Sequence, residues 1–494
     1  MIDAFFSGLL QVLSWPAFGF MLVGIALGFV VGILPGLGGT TTLALMLPFI
    51  YDMSPVSAFA FLLGMNSVTA TTGDITAVLF AVPGETSTAV TILDGHPMAK
   101  RGEAGRALGA ALFSSLVGSL LGAFTLLVAI PILVPVALAL GSPEMFMLGM
   151  LGISYLAVLS GGSMTRGLVM GGLGLLLATI GPDPWTATYR YTLGQVYLWE
   201  GMPLVPFIVG LFAIPEIVDL AVKGTAIAEA KSGKLSGVMQ GVKDTFRYWK
   251  VTVRASIIGI VIGIIPGVGG AAASWIAYAQ AVQAAPDRSR FGKGAIEGVL
   301  AAGAVNNAKE GGSLIPTLAF GVPGSGGMAV LLGAFLILGI NPGPDMLTKH
   351  LDVTFSMAWT IIIANVVTVA LSFIFLNQLA KLTQVKSTTL IPFILLAVYL
   401  GSFATNNSIA DLLTTLIFGT LGCLMVLFKW PRPPLVLGVV LGEIIEKNLF
   451  ISIARYGLFW IARPGVIVLF LLIIGGILYG HTQNKKTVML KEQP

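Results

Sequence analysis

Charge is scarce in this chain of 494 residues. Only 10% are Asp, Glu, Lys or Arg, against 56% hydrophobic. So few charges cannot cover the exterior of a soluble protein of this length, and a soluble core has no use for so much apolar surface. Histidine is nearly absent. His96, His350 and His481 are each placed in a loop or tail, so neither a zinc site nor a Ser-His-Asp arrangement is supported. Cys423 is the only cysteine and cannot form an internal disulfide. No Gly-x-x-x-x-Gly-Lys-Ser/Thr run occurs, so the chain itself should not hydrolyse ATP. The sequence reads as no enzyme and implies no cofactor or metal. Its net charge of +5 is no nucleic-acid signal, because the basic residues sit between apolar runs, where they set topology.

What the chain has is apolar length, at a mean hydropathy of +0.94. Runs such as Gly167–Ile180, Trp359–Leu376, Leu412–Leu427 and Pro464–Tyr479, with their flanks, approach the roughly 20 helical residues that cross a bilayer. No series of alternating segments of about ten residues points to a barrel. The expectation is an all-α polytopic membrane protein of about 11–13 transmembrane helices with broken or re-entrant segments. Met1–Val31 lacks a basic start and a small-residue cleavage site and reads as a retained first span. Trp185–Trp199, with Tyr189, Tyr191 and Tyr197, reads as an outer interfacial stretch.

The chain also repeats itself. Gly32-Ile-Leu-Pro-Gly-Leu-Gly-Gly39 matches Gly263-Ile-Ile-Pro-Gly-Val-Gly-Gly270, and Phe80-Ala-Val-Pro-Gly84 matches Phe320-Gly-Val-Pro-Gly324. Asn66 falls opposite Asn306 in the same register. Two motifs in the same order at similar separations indicate a duplication. The expected units are a first repeat over 1–220, a basic cytoplasmic linker over 221–254, a second repeat over 255–450 and an extra C-terminal helix and tail over 451–494. Asp219–Arg254 carries seven Lys and Arg, which places it inside. Asp94–Arg106 and Pro286–Lys293 are basic where their counterparts, Asn341–Asp352 and Tyr51–Pro55, carry one basic residue and none. Opposed charge in matching loops is what inverted repeats require, and it leaves the C-terminus cytoplasmic. Arg455 and Arg463 fall on the predicted outside, against the scheme.

Proline removes a helix hydrogen bond and clustered glycines permit non-helical backbone, so helices should break at Pro35–Gly39 and Pro266–Gly270. Irregular backbone at membrane depth needs surrounding protein or a wet cavity, and free N–H groups at the next helix start attract carboxylate or phosphate. The plain alternative is close packing of helices through small residues. Breaks in corresponding positions of two repeats favour a binding site. Candidate substrate-binding residues are Gly36, Gly38, Gly39, Thr40, Thr41, Gly267, Gly269 and Gly270 at the first pair of breaks. Gly84, Thr86, Ser87, Gly324 and Ser325 mark the second pair, with Asn66, Asn306 and Asn307 supplying amides. Ionisable residues in apolar surroundings are functional candidates by default. Asp74, Glu85, Glu297, Lys309 and Glu310 qualify. Lys309 would balance a substrate carboxylate, and Asp74 or Glu310 would take a proton or help hold Na⁺. The competing reading is internal neutralisation of Lys309 by Glu310 or Asp74.

At these motifs the sequence resembles the large membrane subunit of the tripartite tricarboxylate transporter family, over nearly its whole length. The paired Pro-Gly-x-Gly-Gly motifs carry the resemblance, with Leu93-Asp-Gly-His-Pro-Met-Ala-Lys-Arg-Gly102, Phe291-Gly-Lys-Gly294, Asn306-Asn-Ala308, Gly311-Gly-Ser-Leu-Ile-Pro-Thr-Leu318 and Asn341-Pro-Gly-Pro344. Two stretches depart from the family's pattern: Thr72-Gly73-Asp74 stands where Gly-Gly-Ser is frequent, and Ala302-Gly-Ala-Val305 where Ala-Pro-Glu is common. The resemblance implies uptake of small organic carboxylates across the bacterial inner membrane, driven by a Na⁺ or H⁺ gradient. It also implies two partners, a small four-helix membrane subunit and a periplasmic solute-binding protein. The alternatives are an anion channel or exporter on the same repeat, and an intramembrane lipid enzyme, against which the scarce histidines argue.

Overall fold

The protein is seen in a computed structural model that describes residues 1–32, 38–159, 164–223, 235–266, 269–382 and 387–491. Gly36 and Gly267, at the centres of the first pair of breaks, lie outside the described residues, as does 224–234 of the basic linker.

Helix dominates, as the composition requires. The chain opens with α1 (Ile2–Leu13) and α2 (Ala17–Gly32), bent by 64° where they meet, so the expected first span is a broken pair. The short α3 (Gly39–Met46) follows the first glycine break, and α4 (Pro55–Phe80) runs on to the second. Then come α5 (Thr91–Lys100), α6 (Ala104–Ala139), α7 (Ser142–Leu159), α8 (Met164–Ala178) and α9 (Leu204–Lys223). After α10 (Val238–Arg247) a similar succession follows: α11 (Trp249–Ile264), α12 (Gly269–Ala284), α13 (Ile296–Phe320), α14 (Gly326–Ile337), α15 (Pro344–Thr348) and α16 (Leu351–Leu382). The chain continues through α17 (Ser387–Asn406), α18 (Ile409–Leu427), α19 (Pro433–Tyr456) and α20 (Pro464–Lys491).

Among the described residues, three helices are long and apolar enough to cross a membrane, within α6, α16 and α18. The number rises to five if each of two bent pairs is one span. Length and apolar composition leave other helices out of that number, for a physical reason. The breaks cut several apolar stretches into pieces such as Gly39–Ile50 and Gly326–Ile337. Meanwhile α4 and α13 are long enough but carry the polar residues of the candidate site. Among the described residues one strand pairing occurs: Gly181–Pro182 pairs antiparallel with Tyr189–Arg190 inside the aromatic outer segment. There Tyr189 stacks on Trp199 with ring centres 5.0 Å apart. Arg190 grips both carboxylate oxygens of Glu446, at 2.6 and 2.9 Å, which ties the hairpin to α19.

Helices α4 and α13 are buried on nearly every side. Such helices belong to an interior. Each is approached closely by a glycine-lined neighbour. Gly24, Gly28 and Gly32 of α2 face the backbone of α4 at four-residue spacing. Gly259 and Gly263 of α11 face α13 in the same way, and Gly118 and Gly122 of α6 meet it from another side. Small residues at helical spacing let backbones approach, which gives dispersion contact where lipid removes the hydrophobic drive. Of the linker, α10 is an amphipathic helix, docked on α6 through Gly241 and an Arg106–Asp244 pair at 2.6 Å.

Candidate functional site

Both central helices end alike. Ala81 after α4 and Gly321 after α13 take left-handed backbone conformations, φ 56° and 66°. The next residue reaches back in each case: Val82 N–H donates to Thr76 O and Val322 N–H to Pro316 O. A proline follows, which forbids further helix. Glu85 and Ser325 then occupy equivalent positions, each accepting from the backbone three residues on to start the next turn. The same offset that aligned the sequences aligns these caps.

Gly84 and Gly324 close the breaks by contact. A Cβ on Gly84 would stand 2.5 Å from Gly73 Cα and 2.8 Å from Gly32 O. One on Gly324 would stand 2.5 Å from Gly263 O and 2.6 Å from Ser313 Cα. Glycine is required there so that backbone can meet backbone.

The helix starts after the breaks meet across the chain's two parts. Thr40 Oγ1 lies 3.7 Å from where side chains on Gly326 or Gly327 would begin, so α3 faces the start of α14. Gly38 lies against Glu85, where its Cβ would be 3.5 Å from that of the glutamate. On the other side the Lys309 side chain lies over Gly270, near the start of α12, whose added Cβ would be 2.8 Å from Lys309 Cδ and Cε. Lys309 Nζ is 3.4 Å from Glu85 Oε1 and 3.5 Å from Glu310 Oε1. Glu310 also accepts from Asn66 Nδ2 at 3.3 Å. Ser87 Oγ lies between Glu85 and Asn306 Oδ1, 2.8 Å from the latter, with one proton to give to either, and Asn306 Nδ2 donates to Ala70 O at 2.8 Å. The cluster is nearly closed: the side chains of Lys309, Glu85 and Glu310 are 11–14% exposed.

Most predicted site residues therefore gather in one place, though in different roles. Gly38, Gly39, Asn66, Ser87, Gly270, Asn306, Lys309 and Glu310 border the cluster, Gly269 opens α12 beside it, and Thr40 faces the start of α14. Thr41 is buried on α3, Thr86 is exposed, and Ser325 caps α14. Asn307 turns away to Thr71 and Asn365, both at 2.7 Å. Lys309 pairs with Glu85 and Glu310 rather than with Asp74. Asp74 is fully buried; Thr91 donates to its Oδ1 at 2.7 Å, and its Oδ2 has no hydrogen-bond partner. His96, expected in a loop, sits within α5, where its Nδ1 is 3.1 Å from Val78 O.

Sequence reading missed Asp94, although it lies in a recognised motif. Its Oδ1 accepts from the N–H groups of Gly294 and Ala295, each at 2.8 Å, at the start of α13. Its Oδ2 accepts from Tyr278 OH at 2.9 Å. Arg101 reinforces the junction through the carbonyls of Lys293 and Gly294. A buried carboxylate followed by basic residues was the available signal.

No solved structure matches the chain. It is similar to two proteins of Agrobacterium vitis. One is described as an uncharacterized 52.8 kDa protein in the TAR-I ttuC' 3' region, 34% identical over 427 residues that cover 86% of this chain and 85% of that protein. The other is an uncharacterized protein in the TAR-II ttuC' 3' region, 32% identical over 191 residues, which cover 39% of this chain and 79% of the relative. Residues 18–437, from the start of α2 into α19, match the family described as tripartite tricarboxylate transporter TctA. That span contains both pairs of proline–glycine breaks and every member of the charged cluster, and the chain belongs to the tripartite tricarboxylate transporter TctA family.

Proposed function

We propose that the chain is the permease of a secondary active importer. It moves small di- or tricarboxylates across the bacterial inner membrane, down an ion gradient, with its C-terminus in the cytoplasm. A periplasmic solute-binding protein delivers the substrate and a small four-helix membrane subunit completes the complex. The two parts of the chain are inverted repeats, and the substrate sits where their breaks meet. The observation that carries this reading is Lys309, held at the start of α12 between Glu85 and Glu310. An ammonium beside free helix-start N–H groups is the chemistry that receives a carboxylate. Glu85 and Glu310 occupy that ammonium in the closed state, and a substrate carboxylate takes over the contact. Gly38–Thr41 and Gly269–Gly270 offer backbone N–H groups and hydroxyls, and Asn66 and Asn306 offer amides. Asp74, Glu310 and Lys309 couple the coupling ion to the substrate.

The test is uptake of labelled di- and tricarboxylates by proteoliposomes holding the complete complex, under imposed Na⁺ and proton gradients. Saturable, gradient-driven accumulation of one of these acids is expected. Failure of every one to accumulate under either gradient overturns the reading.

A further inference from the structure

We propose that Asp74 carries a proton together with the substrate anion, making this residue the point at which transport is coupled to protons. The proposal deepens the carboxylate-permease reading and rests on it.

Two observations carry it. The first is charge balance. The cluster sets one ammonium, Lys309, against the carboxyls of Glu85 and Glu310, with Asp74 as a third carboxyl beside them. With Asp74 ionised the group bears two net negative charges, and with Asp74 protonated it bears one. A carboxylate substrate entering such a site is repelled unless positive charge enters with it. The second is the surroundings of Asp74. It is 0% exposed, only one of its oxygens is hydrogen-bonded, and Oδ2 has no partner among the described residues. A buried carboxylate with a bare oxygen is far costlier than the neutral acid. A proton on Oδ2 removes that cost without any further ligand.

The charged groups facing Asp74 are Glu85 and Lys309, with Asn306 and Thr91 as polar neighbours. Asp3 of α1, Lys100 of α5 and Lys381 of α16 also lie on elements packed against α4, and the remaining titratable groups there are engaged elsewhere. On α5, Asp94 is taken by Tyr278 and two N–H groups, and His96 by Val78 O. On α13, Glu297 pairs with Arg290. Arg106 of α6 pairs with Asp244, and Asp352 of α16 accepts from Gln11. Neither α2 nor α3 contributes a titratable side chain. In the outward-open state Oδ2 takes a proton from water ahead of the anion and keeps it when the site closes; in the inward-open state proton and anion leave together.

Uptake is compared with equilibrium exchange in the same proteoliposomes, for wild type and Asp74→Asn. An inward gradient of one pH unit supports about tenfold accumulation per coupled proton. Asp74→Asn is expected to lower the ratio of gradient-driven accumulation to exchange by about tenfold. An unchanged ratio overturns the proposal. Infrared difference spectra decide independently of any substrate. At neutral pH the wild type should show a protonated-carboxyl C=O band that Asp74→Asn lacks. Absence of any such band in the wild type overturns the proposal even if the variant fails to fold. Were no carboxylate transported by the wild type, the permease reading would fail while the band still reported on Asp74.

Discussion

Replacing Lys309 with methionine removes the one cation that pairs with Glu85 and Glu310 among the described residues, and leaves two carboxyls facing each other with little water. Removing one partner of a buried pair destabilises by about 3–5 kcal/mol, because the remaining charge is stranded. Two observations place this case at the low end. The separations of 3.4 and 3.5 Å exceed the roughly 2.7–2.9 Å of strong charge-assisted bonds, and Asn66 still donates to Glu310. The expected loss is about 3 kcal/mol. Glu85→Gln alone should have a small effect, since Lys309 retains Glu310. Lys309→Met with Glu85→Gln should then be less damaging than the sum of the two, by about 1–2 kcal/mol, because the repulsion created by the first change is relieved by the second. Thermal unfolding of the purified protein in detergent, followed for the four members of the cycle, measures this. Strict additivity would refute the reasoning, as would a Lys309→Met protein that melts with the wild type.

Gly84→Ala places a methyl group against Gly73 Cα and Gly32 O, so α2 and α4 must separate. A loss of about 1–3 kcal/mol is expected in the same unfolding assay, and a melting temperature equal to wild type would contradict the packing role. Asp94→Ala strands two backbone donors and the Tyr278 hydroxyl, whereas Asp94→Asn keeps one acceptor for the N–H pair. The alanine variant should therefore be the less stable of the two by about 1–2 kcal/mol, and the reverse order would exclude Asp94 as the cap of α13. Inverted topology predicts that, in a Cys423→Ser background, a cysteine at Asp52 reacts with an impermeant thiol reagent added to intact cells, while one at Arg288 reacts only after lysis. Equal labelling of both would remove the inversion.

The membrane class followed from composition, because 10% charge cannot cover a soluble exterior, and the helical class from the lack of alternating segments. The breaks were legible because proline and glycine act locally, and their geometry at Ala81 and Gly321 repeats as the motifs do. The partner of Lys309 was not legible. Glu310 is adjacent in sequence, whereas Glu85 lies 224 residues away and arrives only through packing of the two parts. The Tyr189–Arg190 pairing was missed because two residues per strand leave no alternation to read.

The junction at Asp94 bears on which pieces of the molecule travel together. Helix α5 comes from the first part of the chain, while Tyr278, Gly294 and Ala295 come from the second. Sliding one sequence half as a block past the other would have to tear this buried joint and the Arg101 contacts beside it. A stroke that keeps the joint intact must carry α5, the end of α12 and the beginning of α13 as one piece. The mechanical seam then cuts across the two parts of the chain instead of running between them.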